Sequence, residues 1–319
     1  MAIYPERFIE VEIEQPTSPL VLGEPVYLTC RLKNVGPAVL PTGPMGLFDP
    51  VMAMQVSVTG LPEDAPAEFS RLPLAVWSCP RYLKPNQEVT CQVQLDIGDL
   101  ADVLARYPLA DIGLTVTGIL NPVQKGESMV SDLQTVPAPS VTLERPGLLA
   151  ASDDLQNASE TFLADMTVLA GSEAFADRLV AARQTGAMQT FLDRVSWTEL
   201  PVPKGLPTVL LNDGLEVLIA TLLADESPVV RAAMVQSLAG ADVTTRLEAV
   251  DACMADPTAL VRIRVVELLG TLLDSNSKTK LATMTEDSDS AVSQMAKLFQ
   301  TIHAEQATGA TGDSEGSSF

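Results

Sequence analysis

The sequence Asp225-Glu-Ser-Pro-Val-Val-Arg231 returns 31 residues later as Asp256-Pro-Thr-Ala-Leu-Val-Arg262. A third copy, Asp287-Ser-Asp-Ser-Ala-Val-Ser293, keeps the Asp and the Val but has Ser in place of the Arg. A fixed period of this size, with an apolar helical pattern on each side of a turn, is typical of stacked helical hairpins. The repeat therefore predicts an α-solenoid between Gly214 and Ile302.

Apolar residues recur in register on both helices of the predicted hairpin. The first helix aligns Ile219, Val250 and Leu281, then Leu222, Cys253 and Met284; the second aligns Val230, Val261 and Val292, then Met234, Val265 and Ala296. Each hairpin of a stack contacts its neighbours. We therefore expect six equivalent side chains to be buried between layers: Leu222, Cys253, Met284, Val230, Val261 and Val292.

These turns resemble the HEAT-repeat family in its short bacterial form, over residues 207–303. The resemblance implies a HEAT-like α-solenoid and protein binding, and it names no activity. The Ser that replaces Arg in the third copy departs from the family's pattern and suits a terminal, capping repeat.

The turns also suggest contacts that the residues themselves can make. Ser227 before Pro228, and Asp256 before Pro257, place an N-cap acceptor ahead of a proline at the first helical position. Arg231 and Arg262 recur on one face, where each can reach an acidic turn residue, Asp225 or Asp256, of its own or a neighbouring unit. Such a ladder is structural or faces a partner, and the sequence leaves both open.

The first 145 residues follow a period of two instead. Ile9, Val11 and Ile13 alternate with glutamates, and the same alternation recurs at 26–33, 52–58, 89–97 and 112–116, with Gly, Pro and Asn between the runs. Half-buried strands separated by turns are typical of an antiparallel β-sandwich. A single helical turn around Asp99 to Ala105 is expected to connect two strands.

The predicted organisation has four parts. Residues 1–145 form the sandwich, and a stretch with Pro137, Pro139 and Pro146 marks its end. Residues 146–206 form the first helices, one that opens at Ser152-Asp-Asp and ends at Gly171, and one from Ala174 to Val195. Residues 207–303 form the solenoid, and residues 304–319, rich in Gly, Ser, Thr and Ala, are expected to be disordered.

The strand region resembles immunoglobulin-like and fibronectin-like sandwiches, and this bears on its cysteines. Cys30 and Cys91 both point to the apolar side of their strands, which resembles the bridge between the two sheets of an immunoglobulin domain. No tryptophan follows Cys30 at the usual distance, and Val89 stands where a tyrosine corner is expected. A Cys30–Cys91 disulfide and two free core thiols therefore both remain open, while Cys253 is expected to be a buried small hydrophobe.

Little in the sequence points to catalysis. The single histidine, His303, falls at the end of the last predicted helix beside the tail, outside any expected pocket, and no phosphate loop or nucleophile elbow occurs. Asp153-Asp154 and Asp287/Asp289 precede helices, where N-capping explains them, although a cation site is the alternative. We expect no catalytic residue, no metal and no cofactor.

Charge and hydropathy restrict the partners. Asp and Glu number 41 against 20 Lys and Arg, for a formal charge of −21, which repels phosphate backbones and anionic lipid surfaces. No apolar run reaches the ~18 residues of a membrane helix. Nucleic acid binding and membrane insertion are therefore not expected. The chain opens without a signal-peptide pattern, which indicates a cytoplasmic protein, or a periplasmic or secreted one if it is excised from a longer chain.

The sequence as a whole indicates a non-enzymatic protein–protein interaction or scaffolding module whose partner it does not name. The first alternative is an accessory or spacer region of a larger assembly or surface protein. The second is a carboxylate-based enzyme acting on carbohydrate, which the scarcity of aromatic residues, 4% of the chain, disfavours.

Overall fold

The computed structural model describes residues 5–61, 73–125, 128–133, 136–149, 154–197 and 204–312. The chain divides into two compact units, Met1–Ala150 and Ala151–Phe319, close to the boundary predicted at residue 145. The N-terminal unit consists mainly of antiparallel strands and the C-terminal unit of helices. The predicted combination of a β region followed by an α region is confirmed.

The strands of the N-terminal unit follow a short 3-10 helix at Pro5–Phe8. They are β1 (Ile9–Ile13), β2 (Tyr27–Asn34), β3 (Leu40–Pro41), β4 (Val51–Thr59), β5 (Leu74–Val76), β6 (Tyr82–Leu83), β7 (Glu88–Gln94), β8 (Ile112–Leu120), β9 (Pro122–Lys125), β10 (Ser128–Ser131) and β11 (Ser140–Arg145). All pairings between them are antiparallel. A three-stranded sheet has the order β1-β2-β7, a four-stranded sheet has the order β11-β8-β4-β5, and β3 pairs with β6 and β9 with β10.

Alternate side chains of a strand point to the same face of its sheet. The inward-facing side chains of both larger sheets belong to one hydrophobic core. On β7 the side chains of Thr90, Gln92 and Gln94 are exposed, whereas Val93 is buried and Cys91 is half-buried. The two faces of the strand are thus as the alternation predicts, although Val89, like Cys91, is half-buried and not fully buried. The predicted connecting helix is also present as α1 (Asp99–Arg106), which buries Leu100, Val103 and Leu104.

The C-terminal unit is a series of helical hairpins. Its helices are α2 (Leu155–Ala170), α3 (Phe175–Trp197), α4 (Thr208–Leu223), α5 (Pro228–Ser237), α6 (Val243–Cys253), α7 (Ala259–Gly270), α8 (Ser275–Met284) and α9 (Ser290–Gly312). The odd-numbered helices pack in chain order, α3 on α5, α5 on α7 and α7 on α9, and α2 packs on α4. The two helices predicted within 146–206 correspond to α2 and α3.

The aligned apolar positions lie inside this unit. All six side chains expected between layers are at most 3% exposed: Leu222, Cys253, Met284, Val230, Val261 and Val292. The prediction of their burial is confirmed. The tail predicted to be disordered from residue 304 overlaps α9, which extends to Gly312, and residues 313–319 lie outside the described residues.

Candidate functional site

Arg231 joins two successive turns between helices. Its Nε and Nη2 donate to the two carboxylate oxygens of Asp256 at 2.7 and 2.9 Å, and its Nη1 donates to the backbone oxygens of Asp225 and Glu226 at 2.7 and 3.1 Å. Two parallel N–H bonds to a carboxylate fix orientation as well as distance. The guanidinium therefore holds its own turn and the carboxylate of the next turn together.

The next arginine repeats this geometry one period later. Arg262 Nε and Nη2 each donate to Asp287 at 2.8 Å, and its Nη1 donates to the backbone oxygen of Asp256 at 2.7 Å. Both arginines show 12–13% of the side chain to solvent, and both aspartates show 7–9%. Of the two alternatives in the sequence, the carboxylate of the neighbouring turn is the one bound.

The bound carboxylates have shifted pKa values. For Asp256, burial alone would raise the pKa, but the hydrogen bonds from Arg231 and from the backbone N–H of Thr258 outweigh it and lower the pKa. For Asp287 the hydrogen bonds from Arg262 lower the pKa, against the opposing effect of burial. The charged form of both aspartates is thus the one that the fold selects.

Arg178, which the sequence did not indicate, begins the same ladder. Its Nε lies 2.9 Å from Asp225 Oδ2, without the alignment of a hydrogen bond, and its Nη2 donates to Glu226 at 3.2 Å. Its Nη1 donates to the backbone oxygens of Ser172 and Glu173. The arginine of α3 therefore reaches its own turn and the following carboxylate, as Arg231 and Arg262 do.

The turns themselves share one hydrogen bond. The side chains of Asp225, Asp256 and Asp287 accept from the backbone N–H two residues later at 2.7–2.8 Å, and Ser172 Oγ accepts in the same way from Ala174 at 3.1 Å. The turn before α3 thus has the same form, with Ser where the others have Asp. Ser172, six residues before Arg178, is the signal that links this turn to the repeat.

The ladder ends in serine on both sides. Ser172 occupies the position of the turn aspartate, and Ser293 occupies the position of the fourth arginine; Ser293 Oγ donates to the backbone oxygen of Thr285 at 2.6 Å. An unpaired buried charge is costly, so a position without a neighbour is better filled by a small neutral residue.

The predicted N-caps need correction. Ser227 stands at the N-cap of α5, before Pro228, but makes no side-chain capping bond. The helix α7 begins at Ala259 with Thr258 at its N-cap, so Pro257 is not its first residue and Asp256 is not its cap. The acidic residues instead bind the turn and the arginines, because a carboxylate gains more from a guanidinium than from one N–H.

The candidate cation pairs behave as capping residues. Asp154 accepts from the backbone N–H of Asn157 at 3.1 Å, Asp289 accepts from Ala291 at 2.9 Å, and Asp287 is occupied by Arg262. Asp153 lies outside the described residues. In the part of the chain that the structure describes, no group of three or more His, Cys, Asp and Glu side chains is placed to hold a metal ion.

Cys30 and Cys91 are opposite each other on β2 and β7, neighbouring strands of one sheet. The bridge between two sheets that the immunoglobulin resemblance suggested is therefore wrong for this pair. Both are free thiols in the structure, as are Cys79 and Cys253. Burial, with a smaller contribution from Cys91, raises the pKa of Cys30 to about 12. Trp77, 2% exposed, donates its indole N–H to the backbone oxygen of Cys30 at 3.0 Å.

His303 lies within α9 and not at the edge of a disordered tail. Its ring is 8% exposed, and Nε2 lies 2.8 Å from the backbone oxygen of Gly270 at the end of α7. The imidazole thus joins the last two odd-numbered helices.

Unlike the largely covered ladder, α2 and α4 carry charged and apolar side chains that are exposed to solvent. Glu160, Asp165, Asp213 and Glu216 are exposed there. Val168 on α2 and Val217 on α4 are 72% and 67% exposed. We call these six residues the α2–α4 face.

The chain matches no protein-family model and no curated protein sequence. Within the described residues, no helix is both long and apolar enough to cross a membrane.

Proposed function

We propose that this chain is a non-enzymatic interaction or scaffolding protein, with an immunoglobulin-like β-sandwich followed by a HEAT-like α-solenoid. Its partner is another protein. The alternating strands of the two larger sheets, which share one core, support the sandwich. The period of 31 residues, the buried equivalent positions and the packing order of the odd-numbered helices support the solenoid.

The observation that carries the proposal is the arginine ladder. Arg178, Arg231 and Arg262 each bind their own turn and the carboxylate of the next, so the hairpins are fixed to one another at one edge. A rigid array keeps its outer helical faces in a constant arrangement, which lowers the ordering cost when a partner binds. The ladder arginines are themselves largely covered, so we assign them a structural role and place partner contacts on the exposed faces.

The test is capture of the partner by the intact protein. Tagged protein comprising residues 1–319 is incubated with an extract of the native organism. Captured proteins are identified by mass spectrometry, and the most strongly retained one is purified and titrated by calorimetry. We expect saturable binding. Val261→Asp, which disrupts the array, should abolish this binding, whereas Leu298→Ser, at an exposed site on α9, should leave it unchanged. If no purified candidate binds, the interaction role is contradicted. If binding survives Val261→Asp, the role of the array is contradicted.

A further inference from the structure

The α2–α4 face is continuous across its two helices. An added Cβ on Gly214 of α4 would lie 2.6 Å from Leu163 Cδ1 of α2, so the glycine lets the helices approach closely at this point. The exposed residues of α2 and α4 therefore belong to two helices that are in direct contact.

The face has one sign of charge. Neither α2 nor α4 contains a lysine or an arginine. Among the described residues no ion pair involves Glu160, Asp165, Asp213 or Glu216, although Gln156 donates to Glu160 at 2.6 Å. The acidic character ends farther along the array, where Asp251 of α6 pairs with Lys280 of α8 and Lys278 is exposed. The α2–α4 face has no such lysine on either of its helices.

The two exposed valines offer a second kind of contact. Val168 and Val217 lie among the carboxylates with about 70% of each side chain in water. Covering such groups is favourable, because it removes apolar surface from water. A purely cationic ligand would leave them exposed, and a purely apolar one would leave the carboxylates unpaired and desolvated.

We infer that the α2–α4 face binds a basic amphipathic segment of a partner protein, with apolar side chains on Val168 and Val217 and lysines or arginines on the four carboxylates. The inference rests on the proposed interaction function and specifies its surface and partner chemistry. A helical segment suits the face, because its apolar and charged stripes run side by side along one axis. Charge complementarity also speeds the encounter and disfavours nucleic acid and anionic lipid.

The test uses the protein of residues 1–319 and a labelled synthetic peptide of about 18 residues, with leucine on one helical face and lysine on the other. Binding is followed by fluorescence anisotropy. We expect saturable binding that weakens as NaCl rises from about 50 to about 300 mM. A peptide with glutamate in place of every lysine should not bind. Absence of binding by the lysine peptide, or equal binding of both peptides, would overturn the inference.

Matched variants separate the face from the general field of an acidic protein. Asp213→Lys/Glu216→Lys should weaken peptide binding at least about tenfold. Glu24→Lys/Glu286→Lys, which changes the net charge equally at exposed sites elsewhere, should change it less than about twofold. Equal losses from the two pairs would mean that only net charge matters, and the face would then carry no site.

The valines are tested in the same way. Val168→Ser/Val217→Ser should weaken binding several-fold, whereas Leu298→Ser on α9, whose side chain is 55% exposed, should not. Circular dichroism and thermal melts verify that each variant is folded. A natural partner that binds the Asp213→Lys/Glu216→Lys variant as tightly as the unaltered protein would leave the proposed function standing and overturn only the assignment of this face.

Discussion

Arg231 keeps its charge with only 13% of its side chain exposed, and it does so by satisfying four acceptors at once. Arg231→Ala would leave Asp256 largely buried without its cation, at a cost of about 2 to 4 kcal/mol. Arg264→Ala is the control, because the Arg264–Glu267 pair is about one-third exposed and removing it should cost under about 1 kcal/mol. Urea unfolding of both variants measures the difference, and similar losses would show that the ladder adds no more than a surface pair.

Acid should weaken the ladder by titrating its aspartates. The pKa values of Asp256 and Asp287 are lowered in the folded state, so the stability they contribute is complete above their ordinary pKa. That stability is lost as the pH falls below about 4 through the lowered folded values. Asp256→Asn should start less stable at neutral pH and lose less on acidification. Urea titrations at several pH values test this, and parallel losses in the variant and the unaltered protein would assign the pH dependence to other groups.

How far single residues can be predicted is clear from the arginines. Arg231 and Arg262 were found because each repeats in register with an aspartate. Arg178 was missed, because its turn has Ser172 for Asp and Asp177 where the repeat has valine. The backbone tolerates this change, since a serine hydroxyl accepts the same turn N–H. The hydrogen-bond pattern is thus retained where the residue identities are not.

At the scale of elements, α7 lies inside the array and packs on four helices, α5, α6, α8 and α9. Val261→Asp would place an unpaired charge among these helices and should cost roughly 3 kcal/mol or more. Val292→Asp, in the terminal helix α9, should cost less because fewer helices enclose it. Thermal melts compare the two. Small and equal losses of melting temperature would indicate that the aligned positions are not packed between successive layers of helices.

The contact between α3 and α5 depends on a glycine that the sequence pattern did not single out. A Cβ on Gly186 would lie 2.4 Å from Ser237 Cβ and 3.0 Å from its carbonyl carbon, so neither a rotamer change nor a small shift accommodates it. Gly186→Ala should therefore cost about 1 to 3 kcal/mol despite the better helix propensity of alanine. Gly171→Ala is the control, because its Cβ would have no heavy atom nearer than 3.5 Å. Equal melting temperatures for the two variants would contradict the close contact.

Element types followed from period alone, whereas helix limits and strand neighbours did not. Strands β2 and β7 were predicted, but not that they are adjacent, which places Cys30 opposite Cys91 in one sheet. Adjacency depends on contacts between residues far apart in the chain, which an alternating pattern does not encode. The end of α9 was also not predicted. The Gly, Ser, Thr and Ala residues after position 304 suggested disorder, whereas the helix continues to Gly312.

For the whole molecule, the two units should fold independently, because each has its own buried core. Residues 1–150 produced alone should give a β-type circular dichroism spectrum, and residues 151–319 a helical one with a cooperative melt.

A cut inside the array is the control. A fragment of residues 151–254 retains α2 to α6 but loses Asp256 and α7. Arg231 then lacks its carboxylate partner, and α5 loses a helix that packs on it. This fragment should melt at a lower temperature and less cooperatively than residues 151–319. Equal melting temperatures and equal cooperativity would show that the hairpins are stable without their neighbours. The arginine ladder would then not be what makes the hairpins unfold together.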